Sequence, residues 1–237
     1  MTLFEIENLV EAKFINRPNR YLAICEVDGI ETEVHVHDPG RLKELLFEGN
    51  KCLVKHAPGP KRKTSWDMIA AQKNAEFVLI HSGYHRYIAE AILRNGDINP
   101  FGSFSEMKAE AKIGHSRIDF LAKTHLTGES IWIEVKGCSL SEGGVAMFPD
   151  APTERGTRHL KTLMEIIATG ERAGVLLLIL SESEIFMPKA DTDPKFNDAF
   201  YEALDRGVEI FPVKVLLTSE GKLQYKGLIK IKDVDYE

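Results

Sequence analysis

Cysteine is scarce and poorly spaced: the three residues, Cys25, Cys52 and Cys138, form no CxxC pair and are odd in number. That spacing argues against a disulfide framework and against a cysteine-ligated zinc site, and a reduced, cytoplasmic protein is expected. Long apolar runs are also missing. The longest, Val175 to Leu180 in GVLLLILS, is far too short to span a bilayer. The first residues, MTLFEIENLV, place an acid at Glu5 and no basic stretch ahead of an apolar one, so neither a secretion signal nor a membrane partner is expected. No internal repeat and no low-complexity segment is found. Basic residues are in the minority, giving a formal net charge of -6, which taken alone speaks against a polyanionic partner.

What is present is an ordinary globular composition. The chain has 237 residues, 43% of them hydrophobic, enough for one large domain or two small ones. Binding follows the local field more than the total charge, and one local field departs from the acidic balance. Gly49 to Trp66 holds five basic residues, Lys51, Lys55, Lys61, Arg62 and Lys63, and no acid. Two readings of this run stand side by side: a solvated loop, or a contact for nucleic-acid phosphates. Trp66, at its end, is read either as a base-stacking residue or as the first core residue of the next strand.

The first third alternates short strand-like runs with turn signals at Arg17-Pro18-Asn19, Asp28-Gly29 and Pro58-Gly59-Pro60. One short helix is predicted in the middle, where Leu42, Leu45 and Leu46 follow Asp38-Pro39-Gly40. Five or six short strands with one helix suit a small closed barrel of the OB type. After Ser82-Gly83 the pattern changes to αβββαβ. A helix is predicted over Tyr84 to Arg94, then strands over 105–113, 117–123 and 130–136, a helix over 153–169 and an apolar strand over 173–181. A further helix over 194–205 and strands near 208–215 and 223–231 complete an α+β chain.

Within that unit, IWIEVKG places Glu134 and Lys136 two residues apart on one strand, hence on one face. Asp119 sits on the preceding strand of an expected hairpin, so the two carboxylates converge. Close carboxylates repel unless a cation lies between them, and a hard divalent ion such as Mg²⁺ accepts two carboxylates, water and phosphate oxygens together. An ammonium beside them can orient water or offset charge in phosphodiester cleavage. The plainer alternative is a surface ion pair between Glu134 and Lys136, contributing only ~0–1 kcal/mol. Thr153 can cap the following helix, with Glu154 suiting its positive end. Arg155, Arg158 and His159 in its first turns offer a phosphate site, while His159 could instead bond a neighbouring carboxylate.

Asp119, followed by Glu134-Val135-Lys136 inside αβββαβ, resembles the PD-(D/E)xK nuclease superfamily, with Ile118 where that signature has proline. Ser116-Arg117-Ile118-Asp119-Phe120, the run Met147-Phe148-Pro149-Asp150-Ala151-Pro152-Thr153-Glu154-Arg155-Gly156-Thr157-Arg158-His159-Leu160, and Pro39-Gly40-Arg41 together resemble the sugar fermentation stimulation protein A (SfsA) family over nearly the whole chain. The chain departs from that family in having Asp38-Pro39 where Asn-Thr is frequent. The resemblance implies an OB-like nucleic-acid-binding barrel over 1–82 and a restriction-endonuclease-like domain over 83–237. It also implies DNA binding with little sequence preference, with RNA as an alternative partner. Carried over, Asp119, Glu134 and the Val135 carbonyl hold Mg²⁺ or Mn²⁺, and Lys136 is the catalytic lysine. Glu90 of the first helix is the candidate for the additional glutamate that the nuclease superfamily often draws from that helix, unless it is only that helix's wet face. Arg41 joins Lys61, Arg62, Lys63, Trp66, Arg155, Arg158 and His159 as candidates for nucleic-acid contact. The leading expectation is a DNA-binding protein with a metal-dependent phosphodiesterase site. Its rivals are a non-catalytic DNA-binding regulator of sugar (maltose) metabolism genes that retains the nuclease fold, and an OB-type module for RNA or oligosaccharide.

Overall fold

A computed structural model of the chain describes residues 1–114 and 116–234. After β1 (Thr2–Glu5), five strands close into a barrel: β2 (Leu9–Asn19), β3 (Leu22–Val27), β4 (Ile30–Val36), β5 (Lys51–His56) and β6 (Trp66–Lys73). β2, β3 and β4 form a meander and β5 returns along β2. β6 runs antiparallel to β5 and parallel to β4, which closes the ring. Alternation fills the barrel, with Ala23, Cys25 and Val27 of β3 and Val34 and Val36 of β4 fully or almost fully buried. The two-residue connection Asp28-Gly29 has φ of 50° and 78°. Paired positive φ values match the twist of a tight hairpin, which is why a short polar residue and a glycine stand there.

β7 (Glu76–Leu79) pairs with β6 and carries the sheet out of the barrel. Then follow α1 (Gly83–Leu93), β8 (Phe104–Ile113), β9 (Ser116–Thr124), β10 (Ser130–Cys138), β11 (Ser141–Glu142), β12 (Val145–Phe148), α2 (Glu154–Ala168), β13 (Arg172–Ile179), β14 (Ile185–Pro188), α3 (Pro194–Asp205), β15 (Glu209–Leu217), β16 (Lys222–Leu228) and β17 (Lys230–Ile231). The large sheet continues β7-β15-β13-β10-β9-β8, and β11, β12, β14 and β17 make a smaller one. β13 is central and covered on both faces. Val175, Leu177 and Ile179 join a core with Leu160 and Leu163 of α2 and Phe196 and Phe200 of α3; Leu176 and Leu178 join another with Ile88 and Ile92 of α1. Each such side chain contributes roughly 1.5–3 kcal/mol on burial, so the strand is apolar without interruption. α2 begins where the Thr153 hydroxyl accepts the Gly156 N–H at 3.1 Å.

The OB-like barrel and the mixed α+β architecture are as expected, and three local expectations are corrected. Residues 42–46 form a single turn rather than a helix: Leu42 has a φ of 49°, a left-handed conformation no helix interior accepts. β1 was not foreseen; it pairs with β16, so the sheet does not divide where the sequence ranges do. The smaller sheet was not foreseen: β11, β12 and β14 were not predicted, and the strand expected near 223–231 divides into β16 of the large sheet and β17 of the small one. Barrel residues Val36 and Ile69 also share one buried cluster with Ile88 and Ile92. Among the described residues, no helix is long and apolar enough to cross a membrane.

Candidate metal centre and nucleic-acid cleft

β9 and β10 pair from Ser130–Lys123 to Ile133–Phe120 and then part. Just beyond the last pair, the Val135 N–H loses its ladder partner and donates instead to Asp119 Oδ2 at 2.8 Å. The strand that places Glu134 therefore also fixes the carboxylate opposite it. Glu134 is only 2% exposed. Its Oε1 accepts from Lys136 Nζ and from His159 Nδ1. Arg155 Nε donates to the other ring nitrogen of His159 at 3.4 Å; since arginine cannot accept, Nε2 is the acceptor and Nδ1 carries the proton that faces the glutamate. Glu134 Oε2 is buried with no protein partner. An orphan carboxylate oxygen in the interior is costly, and here it belongs to a residue lining a cleft.

The two acids are pushed apart electrically. Burial, and next the charge of Glu134, raise the Asp119 pKa against the Val135 N–H that lowers it. Burial also pushes Glu134 upward, but the His159 hydrogen bond and the Lys136 ammonium outweigh it and hold that carboxyl below its ordinary value. Glu134 is thus fixed as a carboxylate, and Asp119 gains from any cation placed beside it. Two oxygen donors, one of them orphaned, fit a hard divalent ion and offer nothing for a soft one.

The cleft has a volume of about 550 Å³. β9 and β10 supply Asp119, Glu134, Val135 and Lys136, α2 supplies Arg155, and α1 supplies His85 and Arg86. Asp150, Glu110 of β8 and, from the barrel, Asp38, Pro39 and Gly40 also line it, with Leu140, Met147 and Phe148 supplying apolar surface.

The family described as "Sugar fermentation stimulation protein RE domain" matches residues 83–221, and "SfsA N-terminal OB domain" matches residues 15–80. The chain belongs to the sugar fermentation stimulation protein (SfsA) family. Relatives include the sugar fermentation stimulation protein homolog of Thermosipho melanesiensis, 47% identical over 90% of each chain. That of Methanococcoides burtonii is 41% identical over 99% of this chain and 96% of its own. A solved structure described as Pyrococcus furiosus SfsA in complex with Ca²⁺ matches with a TM-score of 0.88 at 27% identity, covering 98% of this chain and 99% of that one.

In this SfsA-family chain the other candidates fall in several places. Glu90 does not line the cleft. It accepts from Arg86 Nε at 3.2 Å and borders a separate groove with Phe4, Tyr84 and Tyr87; α1 turns His85 and Arg86 toward the site instead. His159 is 4% exposed and orients Glu134, so it does not meet a nucleic acid from solvent, whereas Arg155 and Arg158 are exposed. Trp66 is half-buried against the barrel core, its ring 5.0 Å from that of His56. Lys61, Lys63 and Arg41 are exposed. Arg62 is engaged: its guanidinium forks onto Asp67, with Nη1 to Oδ2 at 3.1 Å.

Asp67 anchors a second buried group, with His37 Nε2 at 3.0 Å and His81 Nε2 at 4.0 Å. Burial pushes its pKa up, but these imidazoles and Arg62 outweigh that and hold the carboxyl far below the usual range. His37, Asp67 and His81 could each offer a metal one donor. Arg62 already occupies the carboxylate, however, and the two imidazoles stack with centroids 3.7 Å apart, the geometry of an ion-pair network.

His85, Arg86, Asp38 and Asp150 were missed by sequence reasoning. One signal was available for His85. Gly137 follows Lys136 inside a strand, where glycine marks close approach, and a Cβ there would lie 2.1 Å from the His85 ring.

Proposed function

We propose that this SfsA-family chain is a metal-dependent phosphodiesterase acting on nucleic acid, with Asp119 and Glu134 as ligands of Mg²⁺ or Mn²⁺. The observation that carries the reading is the unpartnered Oε2 of the buried Glu134, in a cleft shared with Asp119 and Lys136. The Ca²⁺ of the Pyrococcus furiosus relative supports a hard cation for this chain too. The Val135 carbonyl, one residue along from Glu134, is a further candidate ligand.

When bound, such an ion polarises a phosphate oxygen and makes a water more acidic. The chain's own residues do the rest. His159 and Lys136 hold Glu134 Oε1, so the glutamate cannot rotate away. The Val135 N–H fixes Asp119. Lys136, anchored on the same strand, would set its ammonium where negative charge builds on the phosphate as water's oxygen bonds to phosphorus and the P–O bond to the leaving sugar oxygen breaks, that oxygen taking a proton from solvent. Arg155, at the positive end of α2 and on the cleft wall, holds a neighbouring phosphate. Exposed Lys61, Lys63, Arg41 and Arg158 extend the basic surface along a DNA or RNA backbone.

The test is cleavage of end-labelled DNA and RNA oligonucleotides with Mg²⁺, Mn²⁺ or no metal, by wild type and Lys136→Ala. Metal-dependent cleavage lost in the variant supports the reading. Divalent binding and DNA binding without cleavage would favour a non-catalytic regulator that keeps the nuclease fold.

A further inference from the structure

The barrel reaches into the cleft. Asp38, Pro39 and Gly40 follow β4 and belong to the barrel by sequence, yet they line the same space as Asp119, Glu134 and Lys136. This loop is tied at both ends. On the barrel side the Arg17 guanidinium donates to three of its carbonyls, Gly40 O at 2.8 Å, Arg41 O at 3.1 Å and Asp38 O at 2.9 Å. A fork with that many fixed acceptors holds backbone more firmly than any single contact. On the far side, Asp150 Oδ2 accepts the Arg41 N–H at 3.0 Å, while inside the loop Asp38 Oδ1 accepts the Gly40 N–H at 2.8 Å. The approach is so close that a Cβ on Gly40 would stand 2.3 Å from Asp150 Oδ2. A side chain there would have to displace the Asp150 carboxylate or the loop itself.

We propose that residues 38–41 are a strap across the cleft that admits a single strand of nucleic acid and excludes a duplex, and that Asp150 is the positioning residue that holds the strap in place. The proposal rests on the phosphodiesterase reading of the cleft. Three physical features support the choice of substrate. The cleft volume, about 550 Å³, is that of a small-molecule pocket, room for a nucleotide or two. A duplex brings two phosphate backbones around grooves of about 12 and 6 Å and has no comparable way in past a crosspiece joined to both walls. Charge acts in the same direction. Lys136 and Arg155 suit one phosphate backbone, while the cleft's five carboxylates, Asp38, Glu110, Asp119, Glu134 and Asp150, would repel a second. Finally, Leu140, Met147 and Phe148 also line the space, giving unpaired bases an apolar surface that paired bases could not use.

The experiment measures fluorescence anisotropy with a labelled 12-nucleotide single strand and a blunt hairpin duplex, each as DNA and as RNA, in Ca²⁺. Wild type, Asp150→Ala, Asp150→Asn and Gly40→Ala are compared, with Ca²⁺ affinity read separately by calorimetry. Wild type is expected to bind single strand at least about tenfold tighter than duplex. Asp150→Ala should gain duplex binding and lose most of that preference with its Ca²⁺ affinity unchanged. Asp150→Asn, which can still accept the Arg41 N–H, should retain it. Gly40→Ala, which pushes the strap off Asp150, should behave like Asp150→Ala and serves if the latter fails to fold. Equal binding of the two forms by wild type, or an unaltered preference in both loosened variants, overturns the strap. Cation heat without strand preference contradicts the strap alone, strand preference without cation heat contradicts the metal reading alone, and no nucleic-acid binding contradicts both. The DNA and RNA arms decide which single strand is preferred.

Discussion

Two buried carboxylates, Asp67 and Glu134, make the most instructive contrast in the molecule. Both are almost inaccessible, at 7% and 2% exposed, and both are met by basic side chains. Asp67 has partners on both oxygens, Arg62 on each and the two histidines beside them. Glu134 has two partners crowded on one oxygen and none on the other. A buried carboxylate with both oxygens held by an arginine fork is a scaffold, although His37 Nε2 and His81 Nδ1 beside it make no hydrogen bond, and breaking it leaves an uncompensated charge. A buried carboxylate oxygen left without a partner is costly, and at Glu134 it is the proposed cation that would offset that cost.

The sharpest way to break this contrast is to remove one member of each group. Lys136→Ala is expected to lower the cleavage rate about 10²–10³-fold while leaving divalent affinity within about threefold, because the lysine acts on developing charge; single-turnover kinetics with parallel calorimetry would check both. Asp67→Ala should instead leave divalent affinity alone and destabilise the fold by about 3 kcal/mol, measured by urea unfolding. The sign with pH follows from its lowered pKa. Asp67 contributes fully above its ordinary value of 3.8, and that contribution fades as pH falls below it. Acid unfolding of wild type should therefore be steeper than that of Asp67→Asn.

A third expectation concerns His85, which shares the cleft wall with Glu134. Its Nε2 is shut off from solvent and unpartnered, and burial, followed by the nearby His81, pushes its pKa from 6.5 down to about 4. The unfolded chain then binds the extra proton first, so stability should fall as pH drops from about 6.5 to about 4, with a slope of up to about 1.4 kcal/mol per pH unit. His85→Asn should flatten that slope. The smallest effect is expected in the basic loop. Lys61→Ala with Lys63→Ala should change stability by no more than about 0.5 kcal/mol. It should also flatten the salt dependence of duplex or single-strand binding by about 0.7–0.9 per lost phosphate contact. Arg62→Ala, by contrast, should cost stability, because Arg62 belongs to the Asp67 group.

How much of this was legible in the sequence depended on how local the signal was. β13 announced itself as an unbroken apolar run because both its faces are covered. Asp119 and Glu134 could be paired because a hairpin places them by counting. β1 carried no such signal, since its partner β16 lies at the other end of the chain. The two-residue strands β11 and β17 are too short for any periodicity. Leu42, Leu45 and Leu46 looked helical because all three are buried, but a left-handed turn can bury the same three side chains. Glu90 missed the cleft because α1 presents the residues one turn earlier. The burial of His159 was invisible because it is decided by Glu134, 25 residues away on β10, whereas the engagement of Arg62 has a local partner, Asp67, that the basic run drew attention away from.

The central claim is that Glu134 is kept unsaturated for a cation. It is tested most directly by isothermal titration of Mn²⁺ into wild type and Glu134→Gln, with the thermal midpoint of each metal-free protein recorded alongside. One-site binding to wild type is expected to be lost in Glu134→Gln, which keeps the shape and removes the charge; because His159 and Lys136 hold Glu134 below its ordinary pKa, the metal-free variant is expected to be less stable than wild type. Identical Mn²⁺ isotherms for the two proteins, or no heat from wild type, would contradict the account.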